Sequence, residues 1–207
     1  NTGTTEVILT VQPPAFSPNG DGVQDTVALT PVIKSNSGVA SYDLQIKDGT
    51  GATVKTFSGT GNLPSRISWN GLADNGERCV DGMYSAVLET VSKNGSFAKT
   101  HSQPFTMDTV APAVDVTTPY LLFSPDGDGN KDVIDFTVKS SVEEKWVGRI
   151  ERDNGTLIQE IVWEGAAESF QWDGTNDSGN LVDDGKFKLT ISSQDAAGNK
   201  AVASVTG

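Results

Sequence analysis

Short apolar–polar alternations run the length of the chain, and no stretch holds the three-to-four-residue spacing of an amphipathic helix. In the first half the alternation predicts strands at Val7–Val11, Thr26–Lys34, Ser41–Lys47, Thr53–Phe57, Arg66–Trp69, Tyr84–Val91 and Ala98–Thr106. In the second half it predicts Val114–Thr117, Val133–Lys139, Trp146–Arg152, Leu157–Trp163, Ser169–Trp172, Phe187–Ser193 and Ala201–Thr206. Asp48-Gly49, Lys93-Asn94-Gly95 and Asp153-Asn154-Gly155 read as hairpin turns, because Gly and Asn accept positive φ at little cost. Glu143-Glu144-Lys145 is the one stretch read as able to form a helical turn.

Roughly seven short strands per hundred residues predict an all-β fold, a two-sheet Greek-key sandwich of immunoglobulin type. Asp81-Gly82-Met83-Tyr84 fits that topology, since a Tyr opening the sixth strand forms a corner, ring inward and hydroxyl bonded to nearby backbone. The second half has Phe187 at this place, so its corner is expected to keep the packing and lose that hydrogen bond.

The two halves are copies. Phe16-Ser17-Pro18-Asn19-Gly20-Asp21-Gly22-Val23-Gln24-Asp25 returns as Phe123-Ser124-Pro125-Asp126-Gly127-Asp128-Gly129-Asn130-Lys131-Asp132, identical at seven of ten positions. Trp69-Asn70-Gly71 returns as Trp172-Asp173-Gly174, and Asp81–Tyr84 as Asp184–Phe187, both displaced by 103 residues against 107 for the first segment. So small a drift fits a few loop deletions, and predicts two sandwiches, 1–108 and 109–207, each long enough to bury its own core. Pro112 favours a short, extended joint between them.

A net charge of −12 argues against nucleic acid as a partner, where a basic stripe is expected. No apolar run approaches a membrane span, and no signal peptide opens the chain, which is expected to begin after processing or as an excised fragment. Catalytic constellations fail. His101 falls in a predicted strand among polar residues, Cys79 has no recognisable partner, and no Gly-x-Ser-x-Gly elbow or zinc ligand set occurs. The chain is expected not to be an enzyme. Trp146 and Trp163 occur only in the second half, on neighbouring predicted strands: as core they are structural, and as an exposed pair they would bind glycan. Asn94-Gly95-Ser96, Asn154-Gly155-Thr156 and Asn176-Asp177-Ser178 match the N-glycan acceptor pattern and are expected to be ordinary turns.

Taken together, the Phe-Ser-Pro-Asn/Asp-Gly-Asp-Gly loop ending in Asp, the Trp-Asn/Asp-Gly turn and the Asp-Gly-x-Tyr/Phe strand entry resemble bacterial immunoglobulin-like surface modules. The resemblance is to the immunoglobulin-like domain of flagellar hook-capping proteins and to C-terminal modules of gliding-motility and type IX secretion cargo. It implies an extracytoplasmic, non-enzymatic structural or adhesive segment whose partner is an unnamed protein or glycan. Its rivals are a carbohydrate-binding accessory module of a secreted enzyme and a flagellar or secretion-associated assembly domain. A lone C-terminal sorting module fits less well, because Val205-Thr206-Gly207 ends as if another repeat came next.

The repeated loop carries the candidate chemistry. Calcium takes six to eight hard oxygens from a tightly curled loop, supplied in an EF-hand from positions 1, 3, 5, 7 and 9, with Gly at 6 and an acid at 12. With Gly22 at position 6, the first copy offers Ser17, Asn19, Asp21, the Val23 carbonyl and Asp25, but Ala28 at position 12. The second offers Ser124, Asp126, Asp128, the Asn130 carbonyl and Asp132, with Asp135 at position 12, and is expected to bind better. Asp74 or Asp177, on the loop before the sixth strand, is a further candidate ligand for each copy. The alternative is a metal-free network of Asx turns, since Asp and Asn flanked by Gly bond their own backbone.

Overall fold

The computed structural model describes residues 5–207. The chain divides into two compact units, the first running to Thr109 and including Ala196–Gly198, the second formed by Val110–Asp195 and Asn199–Gly207. Among the described residues every regular element is a β-strand, and no helix is long and apolar enough to cross a membrane.

The first unit runs β1 (Glu6–Gln12), β2 (Ala15–Phe16), β3 (Val27–Lys34), β4 (Val39–Lys47), β5 (Thr53–Thr60), β6 (Ile67–Trp69), β7 (Gly82–Ser92), β8 (Phe97–His101) and β9 (Phe105–Met107). One sheet has the order β1-β3-β6; the other has β2-β9-β7-β4-β5, with β8 also on β7. Alternate residues of each strand enter the space between the sheets, as the two-residue period requires. Val27 and Leu29 come from β3, Leu44 and Ile46 from β4, and Tyr84, Ala86 and Leu88 from β7, all buried. Trp69 stands at the centre, 5.0 Å from the Tyr84 ring and 6.1 Å from the Phe105 ring, both edge-on.

The second unit repeats the plan with β10 (Val114–Thr117), β11 (Ile134–Ser140), β12 (Glu143–Arg152), β13 (Leu157–Gly165), β14 (Phe170–Trp172), β15 (Phe187–Gln194) and β16 (Lys200–Thr206). Its sheets are β10-β11-β14 and β13-β12-β15-β16. Trp172 takes the central place, 5.0 Å from the Phe187 ring and edge-on to it.

Three local readings need correction. Glu143-Glu144-Lys145 is no helical turn but the start of β12, where Ser141 bonds Glu143 and Trp146 is pulled into the core behind it. The strand read as Ala98–Thr106 is two strands. Ser102 turns its hydroxyl inward to accept the Ala86 N–H at 2.9 Å, and Pro104, lacking an N–H, comes next but one before pairing resumes as β9. At the β4–β5 hairpin the left-handed residue is Gly51 (φ 87°), not Gly49, while Asp48 Oδ1 accepts the N–H groups of Thr50 and Ala52. The other two predicted hairpins turn on Gly95 and Gly155, both at positive φ.

Candidate metal centre

Each acidic loop leaves the core directly after a buried or half-buried Phe and curls on two left-handed glycines, Gly20 and Gly22 or Gly127 and Gly129, all with φ between 81° and 84°. That conformation turns the glycine N–H groups inward. Asp132 accepts Gly127 N–H at 2.7 Å through one oxygen and Gly129 N–H at 2.8 Å through the other. Asp25 does the same with Gly20 and Gly22, at 2.7 and 2.8 Å. Backbone bonds from Ser17 N–H to the Gln24 carbonyl (2.8 Å) and from Ser124 N–H to the Lys131 carbonyl (2.9 Å) close the loops. An Asx ladder fills the interior. Asn19 and Asp21 accept the N–H groups of Asp21 and Val23, and Asp126 and Asp128 accept those of Asp128 and Asn130.

This ladder leaves room for a cation, because a carboxylate has about four lone-pair sites and an N–H occupies one. In the second loop Asp126, Asp128 and Asp132 each bring a carboxylate oxygen within 4.8 Å of the others. Among the described residues no ion pair neutralises them; Lys131, inside the loop, lies instead over the Tyr120 ring at 5.2 Å. Three mutually repelling acids without a counter-charge fit a hard divalent cation. The first loop has Asn19 in place of the third acid, and its Ser17 hydroxyl is fully buried without a hydrogen bond. The equivalent Ser124 donates to Asp126 at 3.2 Å.

The other candidate ligands have different partners. Asp135 accepts from the Gln171 amide at 2.6 Å. Asp74 pins the N–H of Thr56 and pairs with Lys55 at 3.4 Å, and Asp177 pins the N–H of Glu160. These acids fasten their loop to strands β5 and β13, and do not join the acidic loops. The Trp-Asn/Asp-Gly turn does reach them: a Cβ on Gly174 would lie 3.1 Å from Pro125, and one on Gly71 3.0 Å from Pro18. In that turn Trp69 and Trp172 each donate their indole N–H at 2.8 Å to a backbone carbonyl three residues on. Bonds from the Thr175 hydroxyl and N–H hold the Asp173 carboxyl below its ordinary range.

The catalytic and glycan candidates are placed by packing. Trp146 is fully buried, with its indole N–H on the Ser141 carbonyl, so it forms no exposed pair with Trp163. His101 is exposed at the end of β8. Cys79 packs against the first core, where burial and then the charge of Asp48 push its thiol up, away from the reactive thiolate. In all three Asn-x-Ser/Thr triplets the Asn oxygen accepts the N–H two residues on, an ordinary Asx turn.

Two sheets in each unit, of three and six strands in the first and of three and four in the second, define an immunoglobulin-like β-sandwich tandem. Residues 123–197 match the FlgD Ig-like domain family, and the second unit is a bacterial immunoglobulin-like repeat. The fibronectin(III)-like modules of Clostridium thermocellum CbhA share the fold at 13% identity and a TM-score of 0.51, over 96% of this chain and 92% of that one. A tetra-tandem repeat from the extending region of a large adhesion protein aligns at 20% identity over 98% of this chain and 49% of its own length, with a TM-score of 0.38. A bacterial ice-binding adhesin aligns at 17% identity over 100% of this chain and 65% of its own length, with a TM-score of 0.45. The chain therefore spans less than two thirds of either adhesin structure. No curated protein matches the chain.

Proposed function

We propose that the chain is a non-enzymatic structural and adhesive segment of a bacterial secreted or cell-surface protein, stiffened by calcium in its second acidic loop. The observation that carries the calcium reading is that Asp126, Asp128 and Asp132 bring carboxylate oxygens within 4.8 Å of one another, with no ion pair to any of them among the described residues. The match to an immunoglobulin-like family supports the structural role. Asp126, Asp128 and Asp132 would supply carboxylate oxygens, with the Asn130 carbonyl beside them. The ion would lock the loop between β10 and β11, neighbouring strands of one sheet. Its source protein is extracytoplasmic in this reading. The name of the matching family favours a second reading, an assembly domain of a flagellar or secretion apparatus.

An ion bound only by the folded state adds RT ln(1 + [L]/Kd), about 2.7 kcal/mol at a hundredfold excess over Kd. For a unit of this size that is a rise in Tm on the order of 10 °C. The test is calorimetric melting with calcium, with magnesium and with a chelator, repeated on Asp128→Ala. A calcium-specific rise lost in Asp128→Ala is the expected result. Equal melting in all three conditions would reduce the loop to a metal-free turn.

A further inference from the structure

Beyond the metal loop, and independent of it, the second unit holds an apolar cavity of about 200 Å³, bordered by Leu122, Phe123, Trp172, Phe187 and Val205. The repeat shows what belongs there. By motif alignment Phe16, Trp69 and Tyr84 correspond to Phe123, Trp172 and Phe187. In the first unit that space is filled by β9: Phe105 and Met107 are 1% and 0% exposed, and Met107 lies against Gly71, the counterpart of Gly174.

The backbone register agrees. Tyr84 pairs with Phe105, and Phe187 pairs with Gly207, so Gly207 stands at the register of Phe105. In the first unit the next residues dock in order: Thr106 N–H donates to the Pro14 carbonyl (2.9 Å) and Asp108 N–H to the Phe16 carbonyl (3.0 Å). Thr109 then donates its N–H and its hydroxyl to Asp81, both at 2.9 Å. The equivalent acceptors are the Leu121 and Phe123 carbonyls and the Asp184 carboxylate. Leu121 O already sits beside Gly207, within 2.6 Å of where a Cβ would stand. Leu121 and Leu122 are 52% and 79% exposed, whereas Ala15, which aligns with Leu122, is buried under β9.

We propose that this groove is a strand-acceptor site for an extended segment running on from β16 past Gly207. The segment has a bulky apolar side chain at its second position and a hydroxyl at its fourth, as in Thr106-Met107-Asp108-Thr109. It adds a parallel ladder to residues 122–123, as β9 does to β2, and closes on Asp184. The stability of the second unit thus rises when such a segment fills the groove.

The test uses the full chain in chelator, so calcium plays no part. Thr-Met-Asp-Thr is joined after Gly207 and compared with a Thr-Ser-Asp-Thr tail and with the unextended chain. The Met tail is expected to raise the second unit's Tm by about 5 °C and to abolish binding of an apolar-surface dye at the cavity. The Ser tail should do less than half as much, and Asp184→Ala should weaken the Met tail's effect. Indistinguishable behaviour of the two tails would overturn the proposal. So would a free peptide of the Met sequence, at equal concentration, that stabilises as much as the joined tail.

Discussion

At the scale of single residues, the two strand-entry corners reach one end by different bonds. Tyr84 donates its hydroxyl to the Val80 carbonyl at 2.5 Å. In the second unit the equivalent carbonyl, of Asp183, accepts instead from Arg152 at 3.2 Å, whose guanidinium lies over the Phe187 ring at 5.2 Å. The sequence motif predicts the tyrosine bond and its loss at Phe187; it has no means of naming Arg152, which comes from another strand and carries no local signal. Burial first, then the charges of Cys79, Asp48 and Asp81, raise the Tyr84 phenol from 10.0 to about 12. The unfolded chain therefore ionises first as pH rises. The corner's contribution is complete below pH 10 and is lost as pH climbs towards 12. Tyr84→Phe should cost about 1 kcal/mol at neutral pH, seen as a fall of about 4–8 °C in the first unit's Tm. It should also flatten that unit's Tm profile between pH 10 and 12.

At the scale of elements, alternation made the strands readable, because each has one buried and one wet face. What it could not show was where a strand breaks: the interruptions at Pro13-Pro14 and Ser102–Pro104 depend on missing N–H groups and on a buried hydroxyl across the sheet. Nor could it show how facing strands share volume. Tyr42 pairs with Gly59 across β4 and β5, and its ring covers the glycine. Trp146 pairs with Trp163 across β12 and β13, and the Trp163 ring covers Gly148 one pleat further along. The aromatic ring fills what the glycine vacates, so the second pair of tryptophans belongs to packing. A Cβ on Gly148 would fall 2.8 Å from that ring. Gly148→Ala should therefore destabilise the second unit by about 1–3 kcal/mol. Adding Trp163→Leu should recover part of the loss, giving a coupling above about 0.5 kcal/mol in a double-mutant cycle of urea melts. Additive losses would show that the ring and the glycine do not share the space.

At the scale of the whole molecule, duplication gives two sandwiches of one plan and unequal quality. The acidic loop was legible because its donors are contiguous in sequence; the partners of Asp74 and Asp177 were not, because strands distant in sequence supply them. Of the twelve largest side chains that are under 2% exposed, nine lie in the first unit, including Phe16, Phe105 and Met107, and three in the second. The difference has a structural source: β2 and β9 pair in parallel over the first core, while Phe123 and Leu122 in the second remain partly open to water. Each fully buried large apolar side chain contributes about 1.5–3 kcal/mol relative to an exposed one. The difference favours the first unit, since both loops carry the same Asx network. Calorimetry in chelator should accordingly resolve two transitions, the lower belonging to the second unit, which Gly148→Ala would identify by lowering it alone. Calcium should move the lower transition upward and leave the upper one in place, since only the second loop assembles three acids. A single transition would mean that the units unfold together; calcium raising the upper transition would assign the ion to the loop of Asn19, Asp21 and Asp25.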